Sequence, residues 1–318
     1  MLSRREKIVS EESPGRKAGQ DFGRIISAFA KDGFQGCGIS PDESARVREA
    51  AGELVKMDGR EIRKAVEEVL MLEDPRPGLE WLCRSGVMET VLPEVYATVH
   101  FSQESDRRHK DVWEHTKQVV FQTERRPALR WAALLHDIGK VKTRTFGDDG
   151  KVQFLGHAEK GAAMFRKISN RLRFSKEMSV RVHYLILKHL RANQYLPQWN
   201  DSAVRRFYKQ AGEYLEDLIA LSMGDITTAR PWRKQEALDG LRELLERVET
   251  LKKEDSKKPP LPSGLGNHII EHFNLEPGPI IGKIRTFLEA RIGEDALEPG
   301  LSSEEYVGYL EKNRSAWE

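Results

Sequence analysis

The sequence predicts an all-α protein, and three observations carry that expectation. Apolar residues recur at three- and four-residue spacing in one segment after another. Ser40-Pro41-Asp42-Glu43 is a helix start, with a capping serine, proline in the first turn and acids facing the helix dipole. Only residues 143–154 break the pattern, where two short stretches flank a turn.

In chain order, residues 1–20 mix charge with Ser, Pro and Gly and read as a loosely ordered N-terminus. Residues 21–95 read as a helical neck. Ile25, Ile26 and Phe29 form a first stripe over Phe22–Lys31, Val47, Ala51, Leu54 and Val55 a second, and Ile62, Val66, Val69 and Leu70 a third. Residues 96–253 form the main body, and helices near 78–85 and over 110–139 lead into it. Gly147-Asp148-Asp149-Gly150 then turns between Thr143–Phe146 and Lys151–Phe154, either as a short hairpin or as a plain loop. Helices follow at about 157–171, 175–191, 201–209 and 213–230, and a charged helix fills 231–253. Lys252–Pro262 reads as a linker from its Lys and Pro runs, and 254–318 as a helical tail.

Composition bounds the functional class. The 318 residues give ample core for one to three domains, and net charge is +2, so the whole surface is not a polyanion binder. No apolar run approaches the roughly 20 residues that span a bilayer, and the basic N-terminus lacks a signal-peptide core. A cytoplasmic protein without a membrane partner is expected. Cys37 and Cys83 form no Cys-x-x-Cys pair and read as reduced structural thiols.

The chemistry concentrates at Trp131-Ala132-Ala133-Leu134-Leu135-His136-Asp137-Ile138-Gly139-Lys140. An imidazole and a carboxylate side by side at an apolar helix end cost desolvation energy unless something pairs with them. A divalent metal is one answer, and a buried His hydrogen-bonded to its neighbouring Asp is the other. Further ligand-type residues occur in Asp111-Val112-Trp113-Glu114-His115, in Gly156-His157, at His189 and at Asp225. Lys140, Lys142 and Arg144 follow the dyad, Lys188 and Arg191 flank His189, and Arg205-Arg206 and Arg230, Arg233 and Lys234 come later. Cations beside such ligands suit a phosphate-bearing substrate, although a charge run is more often a solvated face. Lys140 and Arg144 adjoin the dyad and are the candidates to neutralise a transferring phosphoryl group.

The order His, His-Asp, His, His, Asp resembles the ligand set of the HD metal-dependent phosphohydrolase superfamily. That resemblance implies one divalent ion at His115, His136, Asp137 and Asp225, and a second at His157 and His189 with Asp137 bridging. Nitrogen and oxygen ligation favours a transition ion such as Mn, Fe, Co, Ni or Zn, with Mg also compatible. A closer likeness appears in Asp74-Pro75-Arg76-Pro77-Gly78-Leu79, Val91-Leu92-Pro93-Glu94, Asp111–Thr116, Ala133–Lys140, Arg173-Phe174-Ser175 and Ala203-Val204-Arg205-Arg206-Phe207. These stretches resemble the neck, HD body and tail of bacterial tRNA nucleotidyltransferases, the CCA-adding and poly(A)-polymerase-type enzymes.

That family carries a His just ahead of its Asp-Val-x-x-His, which makes His109 a candidate substrate contact. Its tail approaches tRNA, which makes Lys283, behind the turn Glu276-Pro277-Gly278, a candidate phosphate or RNA contact, and the basic pair Arg205-Arg206 in the body is a further one. Its catalytic head has a Gly-Gly turn and strand carboxylates, and this sequence has no Gly-Gly and about 20 residues ahead of the neck. Nucleotide addition by this chain alone is therefore not expected. The leading expectation is a metal-dependent phosphodiesterase or phosphatase acting on nucleotides or RNA ends, with 2′,3′-cyclic phosphates implied by the resemblance. The alternatives are an RNA-binding module with a non-catalytic metal site, and a hydrolase of a signalling nucleotide. A separate nucleotidyltransferase chain or a second copy of this one would be the protein partner that a headless neck calls for.

Overall fold

A computed structural model of the chain describes residues 51–52, 54–102, 111–148, 150–257 and 260–317. The first neck helix, the start of the second and Cys37 lie outside these residues, as does His109, and the end of the second is helical with Ala51 and Leu54 buried. The described helices are α1 (Gly59–Leu70), α2 (Arg76–Arg84), α3 (Val87–Val91), α4 (Pro93–Tyr96), α5 (Val112–Gln122), α6 (Pro127–Leu135) and α7 (Lys140–Thr143). After the hairpin come α8 (His157–Arg171), α9 (Lys176–Lys188), α10 (Asp201–Ala211), α11 (Leu215–Asp225) and α12 (Pro231–Lys257). The tail holds α13 (Leu265–Phe273), α14 (Pro279–Gly293) and α15 (Ser303–Lys312). The all-α expectation holds. The one sheet among the described residues is the antiparallel pair β1 (Thr145–Phe146) and β2 (Val152–Gln153), with Thr145 opposite Gln153. The hairpin alternative for 143–154 is therefore the correct one.

Two compact units divide the chain without following its order. One runs up to Gln194 and includes Glu216–Leu238, and the other joins Tyr195–Leu215 to Asp239–Glu318.

In the first unit α6 is the central element. Every residue from Leu129 to Leu135 is buried, so this helix has no solvent face and must be wrapped by others. It packs against α1, α5 and α9, and α8 packs on α9. Its charged member, Arg130, is buried because backbone acceptors surround it. The guanidinium donates to the carbonyls of Leu70 (2.6 Å), Leu72 (3.1 Å) and Thr123 (3.0 Å). It thereby caps the C-terminal end of α1, where helix carbonyls lack intrahelical donors. The next residue, Trp131, donates Nε1–H to Glu67 of the same helix at 2.9 Å.

The stretch 110–139 is two helices rather than one. Thr123 ends α5 in an extended conformation, and Arg126 is extended ahead of Pro127, as the residue before a proline prefers. Asp111 starts α5 by accepting from the amides of Trp113 (2.7 Å) and Glu114 (3.3 Å). Ser175 caps α9 by accepting from Met178 N at 3.2 Å. Buried Asp217 of α11 is held by both Arg126 and Arg181, which neutralise it where water cannot.

In the second unit the tail helices enclose their own apolar core. Leu261, Leu265, Ile269, Ile284, Leu288, Ile292, Tyr306, Val307 and Leu310 cluster there, and the buried Tyr306 hydroxyl meets the Pro260 (2.9 Å) and Glu298 (3.0 Å) carbonyls. A capping box between Ser302 and Glu305 fixes the start of α15. The charged run Lys252-Lys253-Glu254-Asp255 is not linker but the end of α12, which continues to Lys257. Lys and Glu are good helix formers, so charge alone does not end a helix; proline does, and the first ones stand at 259 and 260.

Candidate metal centre

Five segments of the first unit deliver six ligand-type side chains to one place. His115 lies in α5, His136 caps α6 and Asp137 follows it. His157 opens α8, His189 caps α9, and Asp225 ends α11. Burial is deep: His136, Asp137 and His189 are 1–2% exposed.

Donor atoms fall into two groups, His115/His136/Asp225 and Asp137/His157/His189, and within each group they lie inside 4.8 Å of one another. In the first, His115 Nε2 is 3.2 Å from His136 Nε2 and 3.0 Å from Asp225 Oδ1. Asp137 links the two. Its Oδ2 lies 3.1 Å from His136 Nε2 and 3.5 Å from His115 Nε2, while Oδ1 lies 3.5 Å from His157 Nε2. The second group closes with His157 Nε2 and His189 Nε2 at 3.3 Å.

Ring orientation follows from the backbone. His136 Nδ1 is 2.8 Å from the Ala133 carbonyl, His157 Nδ1 2.8 Å from that of Phe154, and His189 Nδ1 2.7 Å from that of Ile186. A carbonyl only accepts, so each Nδ1 carries a proton and each ring turns its Nε2 inward. His115 Nδ1 meets Thr227 Oγ1 at 2.8 Å, which turns its Nε2 toward the same place. Nε2 atoms 3.3 Å apart, as in His157 and His189, are close enough to share one cation. The donor set therefore fits divalent metal, with Asp137 able to serve two ions.

Electrostatics agree. Burial alone would discharge His136, but Asp137 and Asp225 outweigh it and carry this imidazole up to about 10. Without metal, a proton on His136 plays the cation's part. Burial and the positive His136 together push His189 down to about 4, so it stays neutral. Against the opposing cost of burial, the charges of His136 and Lys140 hold the Asp137 carboxyl well below the usual range. Hydrogen bonds from His115 and His136 do the same for Asp225.

Other predicted residues fall in different places. Lys140 Nζ contacts Asp137 Oδ2 at 2.6 Å and lies 5.6 Å from the centroid of the Phe154 ring. Arg144 stacks between Phe101 and Phe146, 5.4 and 5.3 Å from their centroids. Arg205 pairs with Asp255 and Arg206 grips Asp295 through two nitrogens, all in the second unit, where these arginines hold structure together. Lys283 is exposed on α14. His183 is not part of the centre; it is half-buried, and burial and Arg166 lower its pKa.

Sequence reasoning missed three contributors. Thr227 stands two residues beyond Asp225, where spacing alone marks nothing. Gln122 donates to the carbonyls of Gly224 (2.8 Å) and Ile226 (3.2 Å), pinning the backbone on both sides of Asp225. Gly139 has a legible signal, its place beside the dyad: a β-carbon there would lie 2.0 Å from the His157 carbonyl oxygen, so only glycine lets α8 approach.

With this geometry in view, comparison with known proteins defines the class. Residues 110–227 match the HD domain family, and all six ligand-type residues fall inside that span. The chain carries an HD domain, and its body resembles tRNA nucleotidyltransferases. It is 34% identical over 262 residues to a CC-adding tRNA nucleotidyltransferase of Thermus thermophilus, covering 77% of this chain and 58% of that protein. An A-adding tRNA nucleotidyltransferase of Deinococcus radiodurans is 32% identical over 275 residues, covering 80% of this chain and 61% of the relative. A multifunctional CCA protein of Pseudomonas fluorescens Pf0-1 is 27% identical over 160 residues, covering 48% and 38%. The chain thus spans about three-fifths of the length of the two relatives it matches over most of its own length. No described helix is long and apolar enough to cross a membrane.

Proposed function

We propose that the chain is a metal-dependent phosphohydrolase acting on phosphoesters of nucleotides or RNA ends, 2′,3′-cyclic phosphates among them. The observation that carries this reading is the Asp137 carboxylate, shared between two imidazole-lined donor groups with a lysine on the same oxygen as the first. His115, His136, Asp137 and Asp225 would hold one ion, and His157 and His189 with Asp137 a second. An ion there supplies Lewis acidity to a phosphoryl oxygen and a nucleophile at neutral pH.

This chain's own residues do the rest. Nδ1 bonds to three backbone carbonyls and to Thr227 keep four imidazoles aimed with Nε2 toward the donor cluster. Lys140 balances the charge of Asp137 and would offset that gathering on phosphate oxygens as the P–O bond to the leaving group breaks. Hydrolysis of a cyclic phosphate adds one water, its oxygen going to phosphorus and a proton to the released 2′ or 3′ oxygen.

Metal analysis together with turnover of 2′,3′-cyclic AMP tests this. Wild type should hold one or two transition ions and open the ring, and His136→Ala should lose at least 100-fold in rate. Absence of bound metal, with no cleavage under any added divalent ion, sinks the reading.

A second reading is favoured by a separate observation, the likeness to tRNA enzymes that continues beyond the HD domain into the tail. In it the chain binds tRNA, alone or beside a separate nucleotidyltransferase, and exposed Lys283 is a phosphate contact. Salt-dependent tRNA affinity that survives His136→Ala and falls in Lys283→Ala supports it; no binding at low salt removes it.

A further inference from the structure

Beside the candidate metal centre, two cations and three aromatic rings form an unbroken series. Lys140 Nζ touches Asp137 at 2.6 Å and sits 5.6 Å from the Phe154 centroid. Phe154 and Phe101 have centroids 6.2 Å apart. The Arg144 guanidinium lies 5.4 Å from Phe101 and 5.3 Å from Phe146. The series starts at a candidate metal ligand and ends on β1 at a phenyl ring that is 63% exposed. Next to β2, Leu155 is 77% exposed.

The hairpin that carries this series is fixed to the centre. Phe154, one residue past β2, supplies the carbonyl that orients His157. The inner rings, Phe101 and Phe154, are half-buried and bear against neighbours on both sides, so packing accounts for them. Packing does not account for Phe146. A large exposed ring backed by a stacked guanidinium gains little from folding and offers a flat, electron-rich face to solvent. The surroundings are cationic, with exposed Lys142 and half-buried Arg144 nearby in sequence. A flat apolar face with positive charge behind it matches one kind of ligand: an unpaired nucleobase on a phosphate backbone.

We propose that Phe146, braced by Arg144, is a base-stacking platform for single-stranded RNA, seating a base outside the phosphoester held at the metal centre. Phe154, Phe101 and Arg144 separate Phe146 from Lys140, so the stacked base belongs to a nucleotide beyond the reacting one. The preferred substrate is accordingly an oligonucleotide end rather than a mononucleotide. This proposal deepens the phosphohydrolase reading and rests on it for the direction of the strand, but stacking itself needs no turnover.

The test measures binding of the full-length protein to fluorescent ten-nucleotide single-stranded RNA in EDTA, where no metal supports cleavage. The comparison probe is an abasic ribose-phosphate oligomer of the same length and charge. Wild type should bind the ordinary RNA roughly 5- to 150-fold more tightly than the abasic one, the range that stacking one base gives. Phe146→Ala should erase that preference while leaving abasic binding unchanged, and Phe146→Trp should keep it. Equal binding of both oligomers by wild type overturns the proposal. So does a Phe146→Ala variant that retains the preference or loses affinity equally for both. Failure of the phosphohydrolase reading would appear separately, as no cyclic-phosphate turnover by wild type with any ion.

Discussion

Thr227 is the clearest case of a residue whose role only the folded chain discloses. Its hydroxyl meets His115 Nδ1 at 2.8 Å and so sets which ring nitrogen faces the donor cluster. Thr227→Val keeps the shape and removes the oxygen. Metal affinity should fall about 10- to 100-fold, the usual cost of losing a ligand's orienting partner, with the melting temperature of the metal-free protein almost unchanged. Calorimetric titration with Mn²⁺ or Zn²⁺ checks this.

The histidines also fix the pH response of the metal-free protein. The folded-state pKa of His136 rises from 6.5 to about 10, so its stabilising contribution is fully present below 6.5 and is lost as pH climbs through about 10. For His189 the value falls from 6.5 to about 4, so its contribution is fully present above 6.5 and is lost as pH drops through about 4. In EDTA, thermal stability should therefore be greatest near pH 6.5. Excess metal should flatten the alkaline limb, because the ion replaces the proton on His136. Melting curves from pH 5 to 9 with and without metal test both limbs, and an alkaline limb indifferent to metal would count against ligation by His136.

At the scale of elements, α6 shows what sequence can and cannot reveal. Its apolar content and the polar dyad at its end were legible, because a His-Asp pair after Leu134-Leu135 violates the local pattern. The break ahead of it was legible in principle from Pro127 but was overridden by continuous periodicity. The run of α12 through Lys257 was hidden for the opposite reason: charge resembles linker composition, although Lys and Glu are good helix formers. Backbone acceptors were invisible altogether. Nothing in the sequence says that Arg130 finds the carbonyls of Leu70, Leu72 and Thr123. Arg130→Ala would strand those buried acceptors and should cost about 3 kcal/mol in urea unfolding. Arg130→Lys should recover little, since one ammonium cannot reproduce the planar fork.

For the whole molecule, the six ligands and the tail's apolar core belong to different units. Metal at about 100 times its Kd adds roughly 2.7 kcal/mol to whatever structure must form to bind it. Hydrogen exchange should register this at amides such as Val119 and Ile186, which lie in ligand-bearing helices. Ile269 and Leu288 in the tail core should exchange at the same rate with and without metal. Equal slowing in both units would show that the metal stabilises the chain as one cooperative block. The resemblance carried by short motifs reached the HD domain. It did not reach the assignment of Arg205 and Arg206, whose carboxylate partners, Asp255 and Asp295, are 50 and 89 residues away in the chain.

Three of the four histidines take their orientation from the carbonyl three residues earlier in their own segment. Each imidazole thus travels with its own aiming device, and that device is peptide backbone. No point substitution at residues 133, 154 or 186 can delete the acceptor, because every amino acid supplies the same carbonyl. Mutational drift can therefore reshape the walls around the centre while the rings stay aimed. His115 is the exception, because its partner is the side chain of Thr227 and can be lost in a single codon change. Among descendants of this chain, loss of metal should begin at that corner.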